Sequence, residues 1–264
     1  MTLIIHGVPL SQPFRSVVWP CLLKGLPFSV QLAIPGTKES FKYSTRRPDF
    51  VSKFPFRTIP SIEDDNLGKE IYLSEAPAIL AYLSSVHGWD DIYPNPPLER
   101  AKIDEYLHWH HSNLRFLSKA YFRPFMMPHP LLAKNDVIKV YQKTAENALK
   151  VLETSYLASS SGFLLGTPHP TAADFMAYEE VCQLWSEFCN LYQFEEAYPN
   201  IIAWLKRMKS LPFHDEVHVS VKLLGDLSTK DGHHSITKQL AYANKEGLKA
   251  ISSVTKGQTL KSRL

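Results

Sequence analysis

Leu10-Ser11-Gln12-Pro13-Phe14-Arg15 stands at the seam between a first hydrophobic strand, Thr2 to Val8, and a first apolar helix, Pro13 to Lys24, closed by Gly25. In α/β folds the carboxyl end of a strand is where chemistry is usually placed. Pro13 fits the first turn of a helix, because its ring fixes φ and the amide hydrogen it lacks has no intrahelical partner there. Ser11 therefore sits at a positive helix end, where an anion is favoured and a hydroxyl can donate to it. These residues alone leave two readings open: a serine that caps the helix or shapes the turn, and a serine that holds an anion.

Outward from this seam, Phe28 to Ile34 reads as a second strand and Lys38 to Val51 as a polar, helix-compatible stretch. Pro20, inside the first helix, predicts a kink. Ser61-Ile62-Glu63, the turn Asp64-Asp65-Asn66-Leu67-Gly68 and Glu70-Ile71-Tyr72-Leu73 read as a hairpin. A helix from Glu75 to about Val86 follows, with Ile79, Leu80 and Leu83 on one face. The order βαβαββα defines an α/β domain over residues 1–86. Residues 87–97, which hold Tyr93-Pro94-Asn95-Pro96-Pro97, read as a linker.

After the linker strands disappear. Leu98 to about Tyr121, Asn135 to Leu157, Thr171 to Glu187, Pro199 to Ser210 and Phe213 to Leu224 all read as helices, which makes residues 98–224 an all-α domain. Thr171-Ala172-Ala173-Asp174 resembles a capping box that ends in aspartate in place of glutamate. Residues 225–264 are polar and poor in large apolar side chains, and read as a mobile tail with at most a short helix between Ser235 and Ile251.

Composition fits a soluble globular protein: 44% of the 264 residues are hydrophobic, 21% charged and 12% aromatic. No apolar run approaches the roughly 18 residues of a membrane span, and no basic segment precedes an apolar signal core. The expectation is a chain with neither feature. Cys21, Cys182 and Cys189 are an odd count without Cys-x-x-Cys spacing, which points to a reducing compartment and away from a disulfide scaffold or dithiol site. The net charge is +3, but seven basic and three acidic residues lie from Gly225 onward, so the preceding body is close to neutral. No basic stripe interleaved with aromatics appears there, and nucleic acid is not an expected partner.

This combination resembles the cytosolic glutathione transferases, most closely their theta class as found in plants and algae, from about Leu3 to Leu224. Ser11-Gln12-Pro13 with Arg15 resembles the theta serine motif. Ile59-Pro60 resembles the family's cis-proline turn, and Glu75-Ala76 the opening of its third helix. Trp109-His110-His111-Ser112-Asn113-Leu114-Arg115 resembles the theta signature in the first helix of the second domain. Phe163-Leu164-Leu165-Gly166, ahead of Thr171-Ala172-Ala173-Asp174, resembles the family's buried capping motif. Each match is weak alone; their order and spacing give them force. The resemblance implies a thioredoxin-like α/β domain followed by an all-α domain, with glutathione as co-substrate, no prosthetic group and a homodimeric assembly.

The chemistry follows from glutathione itself, an anionic tripeptide whose thiol attacks electrophiles as a thiolate. A free thiol of pKa about 8.5 is mostly protonated near neutral pH. A hydrogen bond to a charged group contributes roughly 1.5–3 kcal/mol, so one aimed hydroxyl lowers that pKa by about one to two units. Ser11 is the candidate donor, and Arg115 a candidate cationic helper. Covalent catalysis by Ser11 is disfavoured, since no Gly-x-Ser-x-Gly elbow surrounds it.

By the same resemblance, Gln12 joins the glutathione site and the Ile59 N–H and C=O, ahead of Pro60, pair with the cysteinyl part of the tripeptide. Glu75 and Ala76 meet the γ-glutamyl end, whose carboxylate the helix amides accept. The family usually has serine after that glutamate, and Ala76 keeps the amide but loses a hydroxyl bond. Theta enzymes place a histidine and a lysine near the glycyl carboxylate; here those positions are Thr45 and Thr58, with Arg46 and Arg57 one residue away as substitutes.

The second domain supplies the electrophile pocket in this family, with Phe116, Tyr121, Phe122 and Met126 to Met127 as candidate lining. Aromatic and Met side chains on a long helix also suit a core. His108 and His111 share a helix face, but no third ligand or carboxylate pattern accompanies His108, His110 and His111, so no metal is expected. Ser262-Arg263-Leu264, after Lys261, matches a conservative variant of the peroxisomal Ser-Lys-Leu terminus, which adds peroxisomal import to an expected cytoplasmic location. The functional expectation is a transferase joining glutathione to hydrophobic electrophiles, with hydroperoxide reduction at the same site. The alternative is a glutathione-binding carrier of low turnover; a glutaredoxin-type oxidoreductase would need cysteine where Ser11 stands.

Overall fold

The computed structural model describes residues 3–127, 135–158 and 162–261. Its first elements are β1 (Leu3–Gly7), α1 (Gln12–Leu23), β2 (Ser29–Leu32), α2 (Pro48–Lys53), β3 (Ser61–Asp64), β4 (Ile71–Ser74) and α3 (Ala76–His87). The strands form one sheet in the order β2-β1-β3-β4. β1 runs parallel to β2 and antiparallel to β3, and Ile5 pairs with Val30 on one side and Ile62 on the other. β3 and β4 close the hairpin, with Ile62 opposite Leu73. This is the expected thioredoxin-like arrangement.

Apolar residues at helical spacing explain the packing. Phe14, Val17, Val18 and Leu22 of α1 and Ile79, Leu80 and Leu83 of α3 are buried with Ile5 and Ile62 of the sheet. α1 and α3 pack together, and α3 also meets β3 and β4. Gly7 ends β1 where α1 comes closest: a Cβ there would lie 2.3 Å from the Phe14 ring. α1 continues through Pro20 to Leu23. The stretch expected to be helical from Lys38 to Val51 is helical only at Pro48–Lys53, because Pro48 supplies the first-turn residue and Ile34 bridges to Ser44 ahead of it.

The helices that follow are α4 (Pro97–Ser112), α5 (Arg123–Met126), α6 (Asn135–Val151), α7 (Ala172–Val181), α8 (Pro199–Lys209), α9 (His214–Lys222) and α10 (Gly232–Lys261). The single helix expected from Leu98 to Tyr121 is broken. Asn113, at φ −131° and ψ −78°, ends α4, and its side-chain amide donates to the Trp109 carbonyl at 2.9 Å. A π-helical turn, Ser118–Phe122, then leads into α5. A second π turn, Leu152–Tyr156, ends the α6 segment, and there the Glu153 carboxylate accepts the Asn200 and Ile201 N–H groups at the start of α8, at 2.9 and 2.8 Å.

The chain divides into two compact units. The first comprises residues 3–89, 212–220 and 244–261, and the second 90–211 and 221–243, within the described residues. The break at 89/90 falls inside the expected linker. The expected tail is corrected: residues 232–261 form α10, with Ile236, Ala243 and Ile251 fully buried and Leu227 buried before it. Its buried positions 243, 247, 251 and 255 recur every four residues, a stripe of Ala, Gly, Ile and Thr that carries little hydrophobicity and yet packs closely. No helix among the described residues is long and apolar enough to cross a membrane.

Candidate functional site

Ser11 immediately precedes α1, in an extended conformation (φ −79°, ψ 123°), with Pro13 in the first turn. Its backbone N–H donates to Val8 C=O at 2.9 Å and its carbonyl accepts Arg15 N–H at 3.1 Å. The side chain makes no capping bond, so the hydroxyl is half-buried at a positive helix end and is not spent on the helix. Gln12 is buried beside it.

Ile59-Pro60 is cis and leads directly into β3. Among the described residues the Ile59 N–H and C=O make no hydrogen bond, which leaves one residue's donor and acceptor open to an extended peptide. Two further site residues have left-handed backbones rare outside glycine: Arg57 at φ 56° and Glu75 at φ 74°. Such conformations persist where the surrounding structure enforces them, and they concentrate at ligand-binding positions. Glu75 is exposed and makes no cap bond at α3, and Ala76 begins that helix at 2% exposure.

Around the proposed glycyl position, Thr45 is buried at 1% exposure, whereas Thr58, Arg46 and Arg57 are exposed. The Thr58 carbonyl accepts the Ser61 hydroxyl at 3.0 Å. The neighbouring Arg47 is already engaged, donating twice to Asp49 at 3.0 and 3.2 Å. Below the loop, Glu63 binds Lys53 at 2.6 Å and His6 at 2.8 Å, which ties α2 to the sheet. Burial holds the His6 pKa below the ordinary histidine value despite Glu63.

In the second unit Arg115 donates to the Glu180 carboxylate, which also accepts the Ser118 hydroxyl. Gln183 Nε2 donates to the Ser118 hydroxyl oxygen at 2.5 Å and to the Glu180 carbonyl at 3.2 Å. Glu180 is thus a partner that the Arg115 motif did not reveal. Its signal in the sequence was an acidic pair, Glu179-Glu180, inside an otherwise apolar helix; both are buried. Tyr121 packs on Tyr192 and Phe116 on Tyr141, with ring centroids 5.0 and 4.9 Å apart, and Met126 is half-buried. Phe122 is 1% exposed and belongs to the core of its unit.

His108 and His111 are exposed, while His110 is buried with Nδ1 3.4 Å from the Tyr106 hydroxyl. Burial lowers its pKa to about 3. Asp174 accepts Leu164 N–H at 2.8 Å, Thr171 N–H at 2.9 Å, Thr171 hydroxyl at 3.0 Å and Trp204 Nε1–H at 2.9 Å, completing the capping box. All three cysteines are free and buried, and desolvation pushes the Cys21 thiol well above its usual range. Ser262-Arg263-Leu264 and residues 128–134 lie outside the described residues.

Comparison with known proteins agrees with this geometry. The family model for the glutathione S-transferase C-terminal domain matches residues 120–213. Glutathione S-transferase T1 of Arabidopsis thaliana is 30% identical over 225 residues, covering 83% of this chain and 88% of that one. Glutathione S-transferase theta-3 of Mus musculus is 30% identical over 205 residues, 76% of this chain and 79% of its own. Glutathione S-transferase T2 of Arabidopsis thaliana is 31% identical, but this chain spans only 36% of its length. The fold is shared with human glutathione transferase theta-2, solved with glutathione and an unknown ligand, at a TM-score of 0.68 and 22% identity over 96% of this chain and 98% of that one. The chain belongs to the theta class of the cytosolic glutathione transferases.

Proposed function

We propose that this chain is a glutathione transferase in which the Ser11 hydroxyl donates to the sulfur of bound glutathione and holds it as the thiolate. The observation that carries the reading is the uncommitted hydroxyl at the start of α1: the helix does not use it as a cap. The open Ile59 peptide groups receive the cysteinyl segment, the start of α3 with Glu75 and Ala76 receives the γ-glutamyl end, and Arg46 and Arg57 receive the glycyl carboxylate. The thiolate attacks a hydrophobic electrophile bordered by Phe116, Tyr121 and Met126. Attack on a hydroperoxide oxygen uses the same anion, which makes peroxide reduction a second activity of one site. Arg115, already paired with Glu180, contributes as part of that pair and not as a free cation.

Ser11→Ala tests the reading. Loss of one charge-assisted hydrogen bond raises the bound thiol's pKa by about one to two units and slows conjugation and cumene hydroperoxide reduction together. If wild type binds glutathione without thiolate absorbance and Ser11→Ala changes nothing, the catalytic reading fails. That outcome favours a low-turnover binding protein, for which Ala76 supplies the structural motive. The assembly is a homodimer, measurable by sedentation-independent light scattering of the purified chain. The terminal Ser262-Arg263-Leu264 directs peroxisomal import; a fluorescent fusion that stays cytosolic with and without Leu264 overturns it.

A further inference from the structure

Both peptide planes leading into Ser11 are held, and one of the holding groups comes from the far end of the chain. In the plane joining Pro9 to Leu10, the Pro9 carbonyl accepts Arg15 Nη1 at 2.9 Å, and Leu10 N–H donates to Asn244 Oδ1 at 3.1 Å. In the next plane, Ser11 N–H donates to Val8 C=O at 2.9 Å. Pro9, Leu10 and Arg15 are buried, so water does not readily replace any of these partners.

Asn244 lies on α10, and Gly247 follows one turn later. A Cβ at Gly247 would lie 2.8 Å from Pro9 Cβ and 2.9 Å from Ser220 Cβ, separations that real side chains do not tolerate. The bare backbone of α10 therefore rests on Pro9 and on α9. The segment containing Ser220 in turn grips α1: Trp19 Nε1 donates to Pro212 C=O at 2.8 Å, and the indole meets the His214 and His218 rings at 5.5 and 5.1 Å. Loop, α1, α9 and α10 close a circuit of contacts inside one unit.

We propose that Asn244 and Gly247 are positioning residues for Ser11, the last helix acting as a buttress for the loop that presents the hydroxyl. A donor stabilises an anion only within about 2.7–3.1 Å, and a displacement of about 1 Å costs on the order of a hundredfold in rate. Asn244 fixes one edge of the peptide plane from which the chain enters Leu10 and Ser11. The close seat at Gly247 fixes the distance between helix and loop. The inference rests on Ser11 being the thiolate donor.

The test is the ultraviolet absorbance of thiolate in the full-length protein saturated with glutathione, titrated against pH, with steady-state conjugation alongside. Asn244→Ala is expected to move the titration midpoint up by about one unit and to lower kcat about tenfold below that midpoint, while KM for glutathione changes less than about twofold. Asn244→Asp keeps an acceptor oxygen and is expected to restore the midpoint. Gly247→Ala, which leaves Asn244 intact, is expected to shift it in the same direction as Asn244→Ala. If Asn244→Ala lowers the melting temperature while midpoint and kcat stay put, or if Asn244→Asp fails to restore the midpoint, the positioning role is wrong. Should Asn244→Ala not fold, an unshifted midpoint in Gly247→Ala overturns it. Wild-type protein that binds glutathione without any thiolate signal instead removes the Ser11 reading, and the proposal with it.

Discussion

Asp174 Oδ1 accepts the indole N–H of Trp204 at 2.9 Å while also accepting Leu164 N–H at 2.8 Å, so one buried oxygen joins the loop before α7 to α8. Its other oxygen closes the capping box on Thr171. Asp174→Ala strands three N–H donors and one hydroxyl in the core and is expected to cost about 3–5 kcal/mol. Trp204→Phe leaves the box intact and is expected to cost about 1–3 kcal/mol. Urea unfolding of the two variants gives the comparison; equal losses would mean that the box itself contributes nothing.

Arg115 and Glu180 are expected to couple in stability. Glu180 is almost fully buried and holds both Arg115 and Ser118, so Glu180→Ala is expected to destabilise by about 2–4 kcal/mol. A double-mutant cycle with Arg115→Ala is expected to show a coupling of about 1–3 kcal/mol. Loss of activity in Arg115→Ala without loss of stability would instead mark Arg115 as a cation free to serve the thiolate.

Acid sensitivity is expected to trace in part to His110. Its folded pKa, about 3, lies below the unfolded value of 6.5, so the unfolded chain takes up a proton first as pH falls. The stability contributed by the neutral ring is complete above about pH 6.5 and declines by about 1.4 kcal/mol per pH unit below it. His6, also depressed by burial, acts in the same sense, whereas Asp174, raised to about 6, acts in the opposite one between its unfolded value and that pH. The difference between wild type and His110→Leu isolates the one ring. A constant difference from pH 7 to about pH 4.5 would refute the assignment.

Ala76→Ser restores a hydroxyl at the start of α3. If the γ-glutamyl carboxylate docks there, KM for glutathione is expected to fall by about two- to tenfold, the worth of one hydrogen bond. At 2% exposure a hydroxyl without such a partner would cost stability and leave KM unchanged, which a melting curve and a glutathione titration together distinguish.

Much of the α/β unit was legible because its signals are local. The strand periodicity of Leu3–Gly7, the Asp65–Gly68 turn and the apolar face of Ile79, Leu80 and Leu83 each fix an element within a few residues. The cis Ile59-Pro60 bond agrees with the motif that announced it. The helical unit was legible in type and less so in its breaks. Asn113 ends α4 through a side-chain bond to Trp109, and the π turn after it follows from packing that periodicity does not encode. Of the candidate site residues, Phe122 could not be told from core by type alone, since an aromatic on a helix suits either place.

The sequence by itself determined the order of elements, the two-unit organisation, the family and the serine at the strand-to-helix seam, because each is written in local spacing or in ordered short motifs. It could not say whether Ser11 was consumed by its helix, what Arg115 was paired with, or what residues 232–261 were for. Those answers depend on partners 65 and 234 positions away, Glu180 for Arg115 and Asn244 for Leu10. Only tertiary structure brings such partners together. The last helix is the clearest case: its buried stripe is Ala, Gly, Ile and Thr, nearly silent in hydrophobic pattern, because close backbone approach at Gly247 does the packing that large side chains do elsewhere.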